Sequence, residues 1–156
     1  MKFIKVHNLD FKYRDDILFM FYSLMTNDRK SYDKFCRLKG NRKLNRKKLR
    51  RMRKSIRKHG QKMHVNVVRK KGKIHPANGA HRIASLLSLG YKKNIRIKIR
   101  NSKLFPKWNE KRTLDTHHLR DLPETILTDF KKFKDMYLES KKNNSLKHFY
   151  TTFLLL

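Results

Sequence analysis

Two spacings organise the hydrophobic positions of this chain. Ile95, Ile97 and Ile99 alternate with Arg96 and Lys98, and Met63, Val65 and Val67 are separated by His64 and Asn66. Ile74 stands between Lys73 and His75, and the stretch from Lys2 to Val6 alternates as well. A period of two sends one row of side chains to a core and the next to solvent, so strands are predicted at 2–6, 63–69, 73–75 and 95–99. Lys71-Gly72 predicts a turn between the second strand and the third.

The other spacing is helical. Ile17 to Met25 is a compact apolar run behind Asp15-Asp16, two acids suited to a helix start, and predicts a buried helix over about 15–26. Leu49, Met52 and Ile56 form a narrow apolar stripe and predict a helix over 46–58, with Asn45 as its cap and Gly60 just past its end. Ile83, Leu86 and Leu87 predict a helix over 81–89 closed by Gly90. Pro123 opens a fourth, about 124–139, with Ile126, Leu127, Phe130, Phe133 and Tyr137 as its apolar positions. Ser31 to Leu38 reads as a further short helix broken by Gly40-Asn41. The apolar end, Phe149 to Leu156, must pack on the body, pair with another chain, or belong to a truncated frame. Together these elements predict one α+β domain: a small mixed sheet with flanking helices over 1–112, carrying a basic helical insertion around 29–60. A helical extension over 113–156 packs upon it.

Charge changes the picture most. The chain carries 42 Lys and Arg against 12 Asp and Glu, a formal charge of +30 over 156 residues. Such a chain attracts polyanions, with nucleic acid the first candidate. The imbalance is local. Residues 29–60 hold sixteen basic residues and one acid, Asp33, whereas 113–156 hold seven basic and six acidic ones. A polyanion is therefore expected on the first two thirds of the molecule. On the helix over 46–58, Lys47, Arg50, Arg51, Arg53, Lys54 and Arg57 are the candidate nucleic-acid contacts. The one cysteine, Cys36, excludes an intrachain disulfide and suits a reducing, cytoplasmic setting. No stretch has the length of a membrane span, and the charged start is unlike a signal peptide. His59, His64 and His75 lack metal-ligand spacing, so no metal site is predicted. Trp108, Tyr91 and Phe105 lie among lysines, where they serve either core packing or base stacking.

The chemistry concentrates at Asn78-Gly79-Ala80-His81-Arg82, between a strand pair and a helix. A glycine turn feeding a helix aims unpaired backbone N–H groups and the positive helix end at one point, which suits a phosphate. Gly79 admits close backbone approach, and Arg82 supplies a fork of donors matched to phosphate oxygens. His81 adds a donor, and Ser85 lies one turn further along. Phosphoryl transfer would also need a general base. Asp15 and Asp16 are the candidates for it, and helix-start charges are their alternative reading.

The order of helix, strand, turn, short strand, Gly-x-His-Arg, helix, Gly and strand over about 46–100 resembles the ParB/sulfiredoxin-like superfamily. The residues that carry the resemblance are Val65-x-Val67, Gly72-x-Ile74, Asn78-Gly79-Ala80-His81-Arg82, Leu89-Gly90 and Ile95-x-Ile97. It implies a ParB-like fold and a nucleoside triphosphate, ATP or CTP with or without Mg2+, held at Asn78, Gly79, Ala80, His81, Arg82 and Ser85. It further implies hydrolysis of that nucleotide or transfer of its phosphate to a small hydroxyl compound. Sulfiredoxins place their catalytic cysteine between the glycine and the histidine. Ala80 stands there, so sulfinic-acid reduction is not expected. Asn78 replaces the acid that precedes the glycine in kinase-like members. The alternative is a non-enzymatic ParB-like module that binds DNA or RNA through its basic face.

Overall fold

A computed structural model describes residues 2–26, 30, 33, 46–101 and 119–154. The expected helix at 31–38, apart from Asp33, which is helical, lies outside these residues, as do the Asn45 cap, Cys36, Phe105 and Trp108. The elements are β1 (Lys2–Ile4), α1 (Asp15–Met25), α2 (Arg46–His59), β2 (Val65–Lys70), β3 (Lys73–Pro76), α3 (Ala80–Ser88), β4 (Ile95–Arg100), α4 (Glu124–Lys142) and α5 (Leu146–Leu154). Single 3-10 turns occupy Val6–Asn8 and Leu119–Asp121.

The four strands form one mixed sheet in the order β1-β4-β2-β3. β2 and β3 are an antiparallel hairpin, and α3 carries the chain across so that β4 runs parallel to β2. β1 closes the other edge antiparallel to β4. Register follows the alternation: Val65 lies opposite Ile97, and Ile4 opposite Ile95. Lys71 (φ 52°) and Gly72 (φ 76°) both take positive φ, the backbone that a two-residue hairpin turn demands.

The core is organised around α1, in which every residue from Asp15 to Leu24 is buried. It packs on α3 and on α4. Phe21 meets Phe133 and Tyr137 edge to face, with ring centroids 5.0 and 5.1 Å apart. Phe149 of α5 joins the same cluster, so of the three fates for the apolar end, the described part packs on the body. Among the described residues, no helix is long and apolar enough to cross a membrane.

Several boundaries differ from the expectation. The first strand stops at Ile4 rather than Val6, because Val6 drops into the core and the chain turns, with Leu9 N donating to Val6 O at 3.2 Å. The second starts at Val65 rather than Met63, which is exposed. α3 begins one residue earlier than predicted and α4 ends three later.

His7 fastens α5 to this body. Tyr150 Oη donates its one hydrogen to Leu87 O. It must therefore accept from His7 Nε2, 3.3 Å away, which leaves Nδ1 to accept from Tyr137 Oη at 2.9 Å. The ring is thus held neutral, and burial, with Lys141 adding to it, lowers its pKa from 6.5 to about 4. The unfolded chain binds this proton below pH 6.5 and the folded chain only near 4, so stability falls as pH drops through that window. The expected loss is about 3 kcal/mol between pH 7 and pH 4. Urea melts at each pH, on wild type and His7→Gln, check it: the variant should lose most of that slope.

Candidate phosphate-binding cleft

Gly79 caps α3 with φ 84° and ψ 29°, in the left-handed region. A Cβ there would touch nothing nearer than 3.7 Å, so the backbone angle demands glycine and the surrounding space does not. Gly79→Ala is expected to cost about 1 kcal/mol, read as a lower urea midpoint at unchanged m. The angle turns the chain out of β3 so that α3 starts at Ala80, with Ile83 N the first donor to Gly79 O, at 3.0 Å. The N–H groups of Ala80, His81 and Arg82 precede that bond and have no acceptor within the helix.

The opposite wall is α2. A cavity of about 260 Å3 is lined by Lys48 and Met52 on one side and by Gly79, Ala80, His81 and Arg82 on the other. A second, of about 440 Å3, is lined by Lys48, Arg51, Ser55, Lys62, Met63 and Arg82, among others. Lys48, Met52 and Arg82 line both, so the two are one cleft between α2 and the start of α3. Its charged lining is Lys48, Arg51, Lys62 and Arg82, and among the described residues no carboxylate lines it. The Arg82 fork leans on the loop before β2: Nη1 donates to His64 O at 3.3 Å, and Nη2 lies 3.7 Å from Met63 Sδ.

A buried ion pair braces the turn from behind. Arg14, Asp15 and Asp16 are only 4, 3 and 2 % exposed. Arg14 Nε and Nη2 each donate to an Asp16 oxygen at 3.0 Å. Arg14 Nη1 donates to Pro76 O at 3.1 Å and Ala77 O at 3.2 Å, on the strand end that leads into Gly79. Asn66 holds the same loop: its carbonyl accepts from Ala77 N at 2.9 Å and its amide donates to Asn78 Oδ1 at 2.8 Å. Arg100 Nε in turn donates to Asn66 Oδ1 at 3.1 Å.

These contacts sort the residues singled out from the sequence. Gly79, Ala80, His81 and Arg82 line the cleft. Asn78 is exposed and bonded to Asn66. Ser85 points into the core, fully buried, with its hydroxyl donating to His81 O at 2.8 Å. Asp16 is committed to Arg14, and Asp15 Oδ1 lies 2.9 Å from Lys134 Nζ. Neither acid lines the cleft. On α2, Lys47, Arg50, Lys54 and Arg57 are exposed, whereas Arg51 is both exposed and cleft-lining. Arg53 is half-buried and lines cavities beside Leu89 and Tyr91 instead. Lys48, one of the basic residues of the helix expected to meet nucleic acid, lines the cleft, and Lys62 is the charged cleft residue that sequence patterning did not assign. Lys62 sits in the loop between α2 and β2, where no periodicity marks a facing side chain. No cluster of three His, Cys, Asp or Glu able to hold a metal occurs among the described residues. Compared with protein-family models, curated proteins and solved structures, the chain gives no significant match to any of them.

Proposed function

We propose that this cleft holds the phosphates of a nucleic-acid strand and that the protein is a binding module rather than a catalyst. The observation that carries the reading is the lining itself: Lys48, Arg51, Lys62 and Arg82 converge on the first turn of α3, with no carboxylate beside them among the described residues. Cations and the N–H groups of a first helical turn bind phosphate. Phosphoryl transfer asks for more, a base and as a rule a metal, and the two acids nearest in role are buried in ion pairs. The exposed arc of Lys47, Arg50, Lys54 and Arg57 extends the basic surface beyond the cleft. Binding should be nearly indifferent to sequence. With about four to six phosphates neutralised, affinity should fall roughly a hundredfold or more between 50 and 200 mM salt. Fluorescence anisotropy of a labelled oligonucleotide across that range is the test, and salt-independent binding would defeat the reading.

One observation favours a second reading, a ParB/sulfiredoxin-like nucleotide site. The left-handed Gly79 followed by a helix N-terminus is the geometry that lets backbone close on a terminal phosphate. In that case ATP or CTP with Mg2+ binds at millimolar concentration or below and Arg82→Ala abolishes it, as isothermal titration of both proteins with ATP, CTP and GTP would reveal.

A further inference from the structure

A further cavity lies at the other end of α3. It encloses about 620 Å3 between the start of the chain, the end of α1, the Leu89-Gly90 turn and one face of α5. That size falls within the range of roughly 300–1,000 Å3 that accommodates small organic ligands. Its floor is apolar, built from Leu24, Met25, Leu89, Leu146 and Phe153. Its polar side offers a ligand little. His7 and Tyr150 line it, but His7 Nε2, Tyr150 Oη and Leu87 O already satisfy one another. Three carbonyls at the end of α3 are spent as well: Gly90 N takes Leu87 O at 3.0 Å, Tyr91 N takes Leu86 O at 3.2 Å and Leu89 N takes Ser85 O at 3.1 Å. A guest in the interior therefore gains by burying hydrocarbon and finds few groups to bond there.

The rim carries the charge. Lys5, Lys92 and Lys147 are exposed and line the opening, Lys5 Nζ donating to the Lys92 carbonyl; half-buried Arg53 adds a fourth cation to the lining, and among the described residues no acid lines the cavity. An apolar interior beneath a ring of ammonium groups is complementary to one kind of molecule. We propose that this cavity binds a single-chain amphipathic anion, an acyl chain carrying a carboxylate head, with the chain on Leu24, Leu89 and Phe153 and the head between Lys92 and Lys147. Long lysine stems suit this task, because they cover apolar surface while their charge stays in water. The site shares no lining residue with the cleft at Gly79.

Isothermal titration with dodecanoate, kept below its micelle concentration, tests the proposal on the whole chain. One saturable site is expected. Lys92→Glu with Lys147→Glu should weaken it at least tenfold. Thr151→Trp, which fills the mouth from α5, should do the same while the circular dichroism spectrum and oligonucleotide binding stay unchanged. Dodecyltrimethylammonium, with the same chain and opposite charge, should not compete. Dodecanoate binding by both variants as tight as by wild type would mean capture anywhere on a cationic surface and would overturn the proposal. Binding of the ammonium amphiphile as tight as dodecanoate would overturn it too, as would binding to anionic vesicles with none to free dodecanoate.

Discussion

Asp16→Ala is expected to cost about 3–5 kcal/mol, a large part of the roughly 5–15 kcal/mol that holds an ordinary domain folded. The reason is what it leaves behind. Arg14 is 4 % exposed, and its charge is met by both Asp16 oxygens at 3.0 Å. Without the carboxylate, a guanidinium sits in the core with the neutral Pro76 and Ala77 carbonyls as its acceptors. Urea denaturation gives the loss directly. The double variant Arg14→Met with Asp16→Leu should recover most of it, since a well-packed apolar pair often equals a buried ion pair. Its oligonucleotide affinity should nevertheless stay below that of wild type, because the strand end before Gly79 loses its clamp. A general base at Asp16 would behave otherwise: Asp16→Asn would abolish nucleotide turnover and barely change stability. A loss below 1 kcal/mol for Asp16→Ala would show that the pair does not brace this turn.

The sequence carried the elements better than it carried the site. Ile95, Ile97 and Ile99 can satisfy a core only as a strand, and Gly79-Ala80 before Ile83, Leu86 and Leu87 can only be a turn entering a helix. Both appear within a residue or so of where the pattern puts them. α5 was less legible, because Thr151, Thr152 and the aromatics on either side favour strands, and only burial of Phe149 against Phe133 and Tyr137 settles the helix. Val68 breaks the alternation for a similar reason. It is buried on the sheet face opposite Val65 and Val67, in a small cluster with Tyr13 and Ala77 that local sequence does not announce. The acids were legible as helix-start charges but not as partners. Asp15 meets Lys134, more than a hundred positions away, and nothing near Asp15 encodes that. The cleft is the same kind of case. The Gly79 turn and the basic helix were each visible as an anion site, and as rivals. Their meeting through Lys48, Arg51 and Arg82 depends on how α2 packs on α3, which periodicity leaves open.

That meeting makes charge reversal inside the cleft the most damaging change for binding. Lys48→Glu, Arg51→Glu and Arg82→Glu together should remove three phosphate contacts and lower the salt slope by about 2.7. If both proteins bind alike near 1 M salt, where ion release contributes nothing, the variant should bind about a few thousandfold more weakly at 50 mM. None of the three is a core residue: Lys48 and Arg51 are exposed and Arg82 is half-buried on His64 O, so the fold should survive. A matched control reverses Lys47, Arg50 and Lys54 on the solvent side of the same helix, with the same change in net charge. Arg53 is left out because it is half-buried beside Leu89, where a glutamate would disturb packing as well as charge. Anisotropy titrations at four or more salt concentrations separate the two sets. The cleft set should lose more affinity and more slope than the control set. Equal losses would mean that only the total charge of this basic chain attracts nucleic acid, and that the turn at Gly79 has no part in it.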